Sequence, residues 1–145
     1  MNQDVTWLSG SCHCGAVRYQ VAVRPEPRIA VDCNCSMCRR RGFLHYFVMP
    51  EGLRIEGRDT PPDPTADDPA IDALCEYRFG TRTARHWFCR TCGIAPFYVP
   101  RSHPDGFSVN LRTLESPDDL RTFAIEPFDG EHWEASIAAL RKANP

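Results

Sequence analysis

The chain has 145 residues, 42% of them apolar, and a formal charge of -2 from seventeen basic and nineteen acidic side chains. That length suits a single domain, residues 1–145, with a modest core. The balanced charge gives no general electrostatic reason to hold nucleic acid or an anionic membrane, so neither is an expected partner.

The residues Met1 to Val5 form neither a basic n-region nor an apolar h-region. The longest apolar stretch, around Phe43 to Pro50, falls far short of the roughly 18 residues a membrane span needs. These features predict a soluble, cytoplasmic protein. Thirteen prolines and nine glycines spread along the chain favour short strands over long helices.

Taken in order, Ala16 to Val23 alternates Val17, Tyr19, Val21 and Val23 against Arg18 and Gln20, the period of a half-buried strand. Further strands are expected at Phe43 to Met49, Leu53 to Glu56 and Leu74 to Phe79, the last two ending at Gly57 and Gly80. Arg85 to Phe88, Pro96 to Val99 and the alternating Phe107 to Leu114 complete a mostly antiparallel β domain. Residues 57–72, rich in proline and aspartate, read as a mobile surface loop. Trp133, Ile137 and Leu140 recur at helical spacing, with Asp129 as a candidate cap and Arg141 and Lys142 in the last turn. One short amphipathic helix therefore closes a mainly β fold.

Seven of the eight cysteines fall into three clusters: Cys12-His13-Cys14, Cys33-Asn34-Cys35-Ser36-Met37-Cys38 and Cys89-Arg90-Thr91-Cys92. In a reducing compartment such spacing points to metal before disulfides. Zinc takes thiolates in a tetrahedron, so the knuckle pair Cys89 and Cys92 needs a distant partner pair, and Cys12 with Cys14 supplies it. That leaves Cys33, Cys35 and Cys38 to converge on a second ion from one turn. Four protein ligands make a structural zinc, whereas three leave a position for water or substrate, the catalytic pattern. Arg39, Arg40 and Arg41 follow at once; they can offset thiolate charge and dock a carboxylate of a bound substrate or cofactor.

Other readings stay open at this level. A protein ligand such as Cys75, His45 or His86 would close the second site and make it structural too, although Cys75 reads first as a small buried core residue. His45 and His86 are candidate proton shuttles, or packed histidines in apolar runs. His13 lies between two ligands and should point away from their metal. Trp87, Trp133 and Phe97 read as core aromatics.

The order Gly10-Ser11-Cys12-His13-Cys14-Gly15, Cys33-Asn34-Cys35-Ser36-Met37-Cys38-Arg39, Tyr77-Arg78-Phe79-Gly80 and Phe88-Cys89-Arg90-Thr91-Cys92-Gly93 resembles the glutathione-dependent formaldehyde-activating enzyme family, which includes centromere protein V. The resemblance runs over roughly residues 7 to 133. It implies a mainly β, Mss4-like zinc-bound fold, a structural zinc on Cys12, Cys14, Cys89 and Cys92, and a catalytic zinc on Cys33, Cys35 and Cys38. The family's named activity condenses glutathione with formaldehyde to S-hydroxymethylglutathione, classed as a carbon-sulfur lyase in reverse. Two departures stand out: the aspartate-proline loop looks like an insertion, and Phe43-Leu44-His45-Tyr46-Phe47 is bulkier than the family's small-residue stretch.

The expected function is thus zinc-dependent, reversible addition of a small thiol such as glutathione to an aldehyde such as formaldehyde. The alternative is a non-catalytic binding module in which both zinc ions are structural.

Overall fold

The computed structural model describes residues 4–143. Its elements run β1 (Thr6–Ser11), β2 (Arg18–Val23), β3 (Arg28–Cys33), α1 (Ser36–Arg41), β4 (Leu44–Val48), β5 (Leu53–Ile55) and β6 (Leu74–Tyr77). They continue with β7 (His86–Cys89), β8 (Phe97–Tyr98), β9 (Phe107–Asn110), α2 (Pro117–Leu120), β10 (Phe123–Phe128) and α3 (Trp133–Ala143). Short 3-10 turns precede β5, follow β9 and lead into α3. The protein is mainly strands with a short C-terminal helix, as periodicity and resemblance imply.

The strands form three sheets, ordered β1-β2-β5, β10-β3-β4-β9-β8 and β6-β7. Their pairings are antiparallel except β10 with β3. Alternation in β2 does what its sequence requires: Tyr19, Val21 and Val23 are buried while Arg18 and Gln20 face water. Those residues join Trp87, Phe97, Phe107, Leu53 and Leu74 in one core. At about 1.5–3 kcal/mol for each large apolar side chain buried, this cluster is the main source of stability besides any metal.

Several expectations need correction. The strand from Phe107 stops at Asn110 and turns into a 3-10 segment, because the Asn110 side chain accepts from the Arg112 N–H at 3.1 Å. Asp129 makes no side-chain cap; its carboxylate instead accepts from Asn34 Nδ2 at 3.0 Å and meets His132 Nδ1 at 2.9 Å. Trp133 is half-buried and outside the core, whereas Trp87 and Phe97 are wholly inside it.

The 57–72 segment carries no helix or strand, yet it is tied down. Pro62 and Pro64 are buried, and Ala70 and Ile71 pack on the core. The guanidinium of Arg85, itself 4% exposed, donates to the carbonyls of Pro64 and Asp67 at 2.9 and 3.0 Å and also to that of Ala66. Its Nε bonds Glu76 Oε1 at 2.6 Å, so one buried cation links the loop to β6.

Candidate metal centres and cavity

Two cysteine clusters assemble, with the memberships that the spacing predicts. The sulfurs of Cys12, Cys14, Cys89 and Cys92 all lie within 4.8 Å of one another, as do those of Cys33, Cys35 and Cys38. Cys75 belongs to neither cluster; it is half-buried on β6 opposite Phe88. His13 is exposed and does not belong to the cluster of its two neighbours.

The four-cysteine cluster joins the turn after β1 to the turn after β7. Gly93, at φ 78°, reverses the chain there and its N–H returns to the Cys89 carbonyl at 2.9 Å. Cys14 Sγ lies 3.7 Å from Cys12 Sγ and 3.6 Å from Cys89 Sγ. A tetrahedron with metal–sulfur bonds of about 2.3 Å has edges of about 3.8 Å, so these sulfurs fit one zinc-sized ion. Backbone N–H groups of Val17 and Thr91 point at Cys12 Sγ and Cys89 Sγ, at 3.3 and 3.4 Å, as suits thiolate acceptors.

The three-cysteine cluster is built in one bend. Cys33 ends β3, Cys35 caps α1 by accepting from the Cys38 N–H, and Cys38 sits in the first turn of that helix. Asn34, between Cys33 and Cys35, locks the bend to the entrance of α3. It donates to Asp129 and accepts from the Glu131 N–H at 2.9 Å, while its own N–H meets the Phe128 carbonyl at 3.2 Å. Gly130 is buried against the cluster, and a Cβ there would overlap Cys33 Sγ.

The donor chemistry of this triad suits a cation. Hydrogen bonds from the Cys33 and Cys38 thiols bring Cys35 down to about 2. Hydrogen bonding to Cys35 raises Cys33, and Cys38 is pushed far up by its bonds to Cys33 and Cys35 and by burial. A divalent ion held by this triad would stabilise all three sulfurs as thiolates.

His45, 3% exposed on β4, places Nε2 at 3.2 Å from Cys38 Sγ and Nδ1 at 2.7 Å from Ser108 Oγ. It is not among the donor atoms that lie within 4.8 Å of one another in the triad. Its arrangement is that of a histidine oriented by Ser108 to hydrogen-bond the Cys38 sulfur. Burial lowers its pKa to about 4, so the ring is neutral near pH 7.

A cavity of about 460 Å³ opens on the triad and includes Cys33, Cys35 and Cys38 in its wall. None of the four cysteines of the other cluster lines it. Phe47, Phe79 and Tyr98 supply ring faces, and Trp133, Ile137 and Leu140 form a further wall from α3. The apolar stripe of that helix thus faces the cavity.

His86 also lines it, stacked on Tyr98 at 4.8 Å and on Phe79 at 5.4 Å. Its pKa is lowered to about 4 by burial and by the charge of Arg41.

Of the three consecutive arginines, Arg39 and Arg40 are exposed and Arg41 is half-buried, and none of them lines the cavity. Burial lowers the pKa of Arg41, opposed by the charges of Cys38 and Tyr98. The guanidinium that does reach the cavity belongs to Arg101, which stacks on Trp133 at 3.8 Å and pairs with Glu134 at 2.6 Å. Nothing in its sequence neighbourhood marked Arg101. The role of Asn34 was equally hidden, since its partners lie some 95 residues away.

Among the described residues no helix is long and apolar enough to cross a membrane. The fold is similar to a crystal structure of a Rhodobacter sphaeroides structural-genomics protein, with a TM-score of 0.62 and 38% identity over 82% of this chain and 100% of that one. A segment of 33 residues is 58% identical to a provisionally named glutathione-dependent formaldehyde-activating enzyme of Halomonas elongata. That match spans 23% of this chain and about a fifth, 20%, of the relative. Residues 7–129, which include both cysteine clusters, match the glutathione-dependent formaldehyde-activating enzyme family, and the chain belongs to that family.

Proposed function

We propose that this protein is a zinc-dependent carbon-sulfur lyase that reversibly adds a small thiol to an aldehyde, with glutathione and formaldehyde as the pair its family name suggests. The carrying observation is asymmetry: the three-cysteine cluster lies in the wall of a 460 Å³ cavity, and the four-cysteine cluster does not. Cys12, Cys14, Cys89 and Cys92 would hold a structural zinc that ties β1 to β7. Cys33, Cys35 and Cys38 would hold the second, whose open position supplies Lewis acidity and lowers the pKa of a thiol.

The chain's own groups then have separate tasks. Ser108 and His45 fix Cys38 Sγ in place, and Asn34 fixes the bend that presents Cys33 and Cys35. The aromatic wall offers apolar surface beside the triad to the organic part of a substrate. In the forward reaction the thiol sulfur bonds to the carbonyl carbon, the C=O π bond opens, and the proton lost by sulfur is delivered to oxygen. His86, in the cavity wall, would manage that proton. For Arg39, Arg40 and Arg41 the arrangement supports the lesser task of charge balance, chiefly at Arg41, which Cys38 feels.

Serine replacements separate the two clusters. Cys35→Ser should leave a folded protein with one zinc and no turnover, while Cys89→Ser should compromise folding. Equal, purely destabilising effects of both changes would defeat the assignment.

A further inference from the structure

The wall of the cavity carries more information than the metal-binding motif does. Two runs of stacked rings face it. In one, His45 lies parallel to Phe47 at 5.9 Å and Phe47 to His103 at 4.9 Å. In the other, Phe79 lies on His86 at 5.4 Å and His86 on Tyr98 at 4.8 Å, with interplanar angles of 18° and 12°. Phe47 and Phe79 are nonetheless 38% and 44% exposed, large apolar faces left open at the cavity.

Charge is scarce by comparison. Arg101 is already paired with Glu134 and stacked on Trp133, and the other charged group of the wall is Glu131. A tripeptide thiol bearing two carboxylates and an ammonium finds few partners here, and burying those charges unpaired is costly. Flat apolar groups, in contrast, gain both area and ring-ring contact.

Beside the rings the wall also carries the side chains of Ser36, Thr81 and Ser102. His86 is 5% exposed, and its Nδ1 is buried with no hydrogen-bond partner among the described residues. An unpaired buried nitrogen costs free energy until something meets it. In one tautomer Nδ1 donates to a carbonyl oxygen, and in the other it accepts from a hydroxyl. Buried as it is, this nitrogen is not open to a ligand, and what the wall offers one is its rings.

We infer that the carbonyl substrate of this protein is an aromatic aldehyde, whose ring lies among Phe47, Phe79 and Tyr98. This rests on the thiol-addition reading for its chemistry, but its ligand class follows from the cavity alone. The product is an S-(hydroxy)(aryl)methyl thioether: sulfur bonds to the former carbonyl carbon, and the thiol proton ends on oxygen.

The test has a binding arm and a turnover arm, both with the zinc-loaded protein. Benzyl alcohol, which cannot react, and S-methylglutathione, which has no free thiol, are titrated by calorimetry or ligand-observed NMR. Benzyl alcohol should bind the more tightly of the two, and Phe47→Ala and Phe79→Ala should each weaken it about fivefold. Tighter binding of S-methylglutathione, or benzyl alcohol binding indifferent to both substitutions, overturns the inference.

In the turnover arm, benzaldehyde and formaldehyde are compared with glutathione and with 2-mercaptoethanol, each rate divided by its uncatalysed rate. Benzaldehyde should show the larger enhancement by about tenfold. Greater enhancement for formaldehyde, lost in Cys35→Ser, overturns the aromatic specificity and leaves the thiol-addition reading standing. Selective benzyl alcohol binding with no turnover of any aldehyde supports the ligand class and defeats the thiol-addition reading instead.

Discussion

Replacing Gly130 by alanine perturbs the three-cysteine cluster without touching a ligand. The added Cβ would overlap Cys33 Sγ, approach Cys35 Cβ to 3.0 Å and approach the Cys35 backbone nitrogen to 3.4 Å. Ordinary contact needs about 3.5–4.0 Å, so the Cys33 sulfur or the turn that carries Gly130 must shift by about 1 Å or more. The turn is held by Asn34 through Asp129 and the Glu131 N–H, which leaves the sulfur as the softer partner. Overpacking of this kind costs about 1–3 kcal/mol. A displaced ligand lowers metal affinity by at least the 10- to 100-fold typical of lost outer-shell support. Zinc counted with a chromogenic chelator should fall from two ions to one under mild competition, with turnover lost and the remaining ion as tightly held as in the wild type. Two ions held at wild-type strength would refute the placement of Gly130 against Cys33.

Other expectations follow from single contacts. His45→Phe keeps the stacked ring and removes the nitrogen that meets Cys38 Sγ, so zinc at the three-cysteine site should bind about 10- to 100-fold more weakly in chelator competition; unchanged affinity would remove His45 from the site. Arg85→Met strips three loop carbonyls and Glu76 of their donor. Urea unfolding should show a loss of about 3 kcal/mol, and limited proteolysis should cut within residues 57–72; wild-type stability would show the anchor to be idle. Burial opposes ionisation of Glu76, but hydrogen bonds from Trp87, Arg85 and Arg78 outweigh it and hold its pKa below the usual value. A depressed folded pKa means that the stabilisation is complete above the unfolded value and is lost as pH falls through the folded one. The stability gap between wild type and Glu76→Gln should therefore be open at pH 7 and close in acid; a gap constant with pH would contradict this.

Much of the architecture was legible because a few strands carry their whole pattern within themselves. Val17, Tyr19, Val21 and Val23 all point inward, and the expected strand ends where β2 ends. The overlooked strands β1, β3 and β10 lack that signature. In β1 the buried positions are Leu8 and Gly10, and Gly10 is held there by the Tyr19 ring packed where a Cβ would be. In β3 the buried residues are Ala30 and Cys33, while Ile29 is 44% exposed. Edge strand β10 buries Phe123 alone and tolerates Pro127 because one side of its ladder is free. Their order is imposed by neighbours distant in sequence.

The site divides in the same way. Thiol spacing within a cluster is local, so both cysteine sets could be read from the chain. The cavity is a product of tertiary packing. It takes the apolar stripe of α3, which reads as a core-facing helix, and exposes Trp133 and Leu140 to a pocket. Three consecutive arginines drew attention by composition, but α1 turns Arg39 and Arg40 outward, and the cavity takes Arg101 from a loop instead.

Zinc X-ray absorption, with and without a small thiol, bears most directly on an open three-sulfur site. Seven cysteine sulfurs shared by two ions give an average of about 3.5 sulfur neighbours per zinc, the balance being a light atom. Saturating thiol should raise that average to about 4 as sulfur replaces the light atom. A sulfur count that stays near 3.5 whatever thiol is added would mean that a side chain such as His45 closes the site.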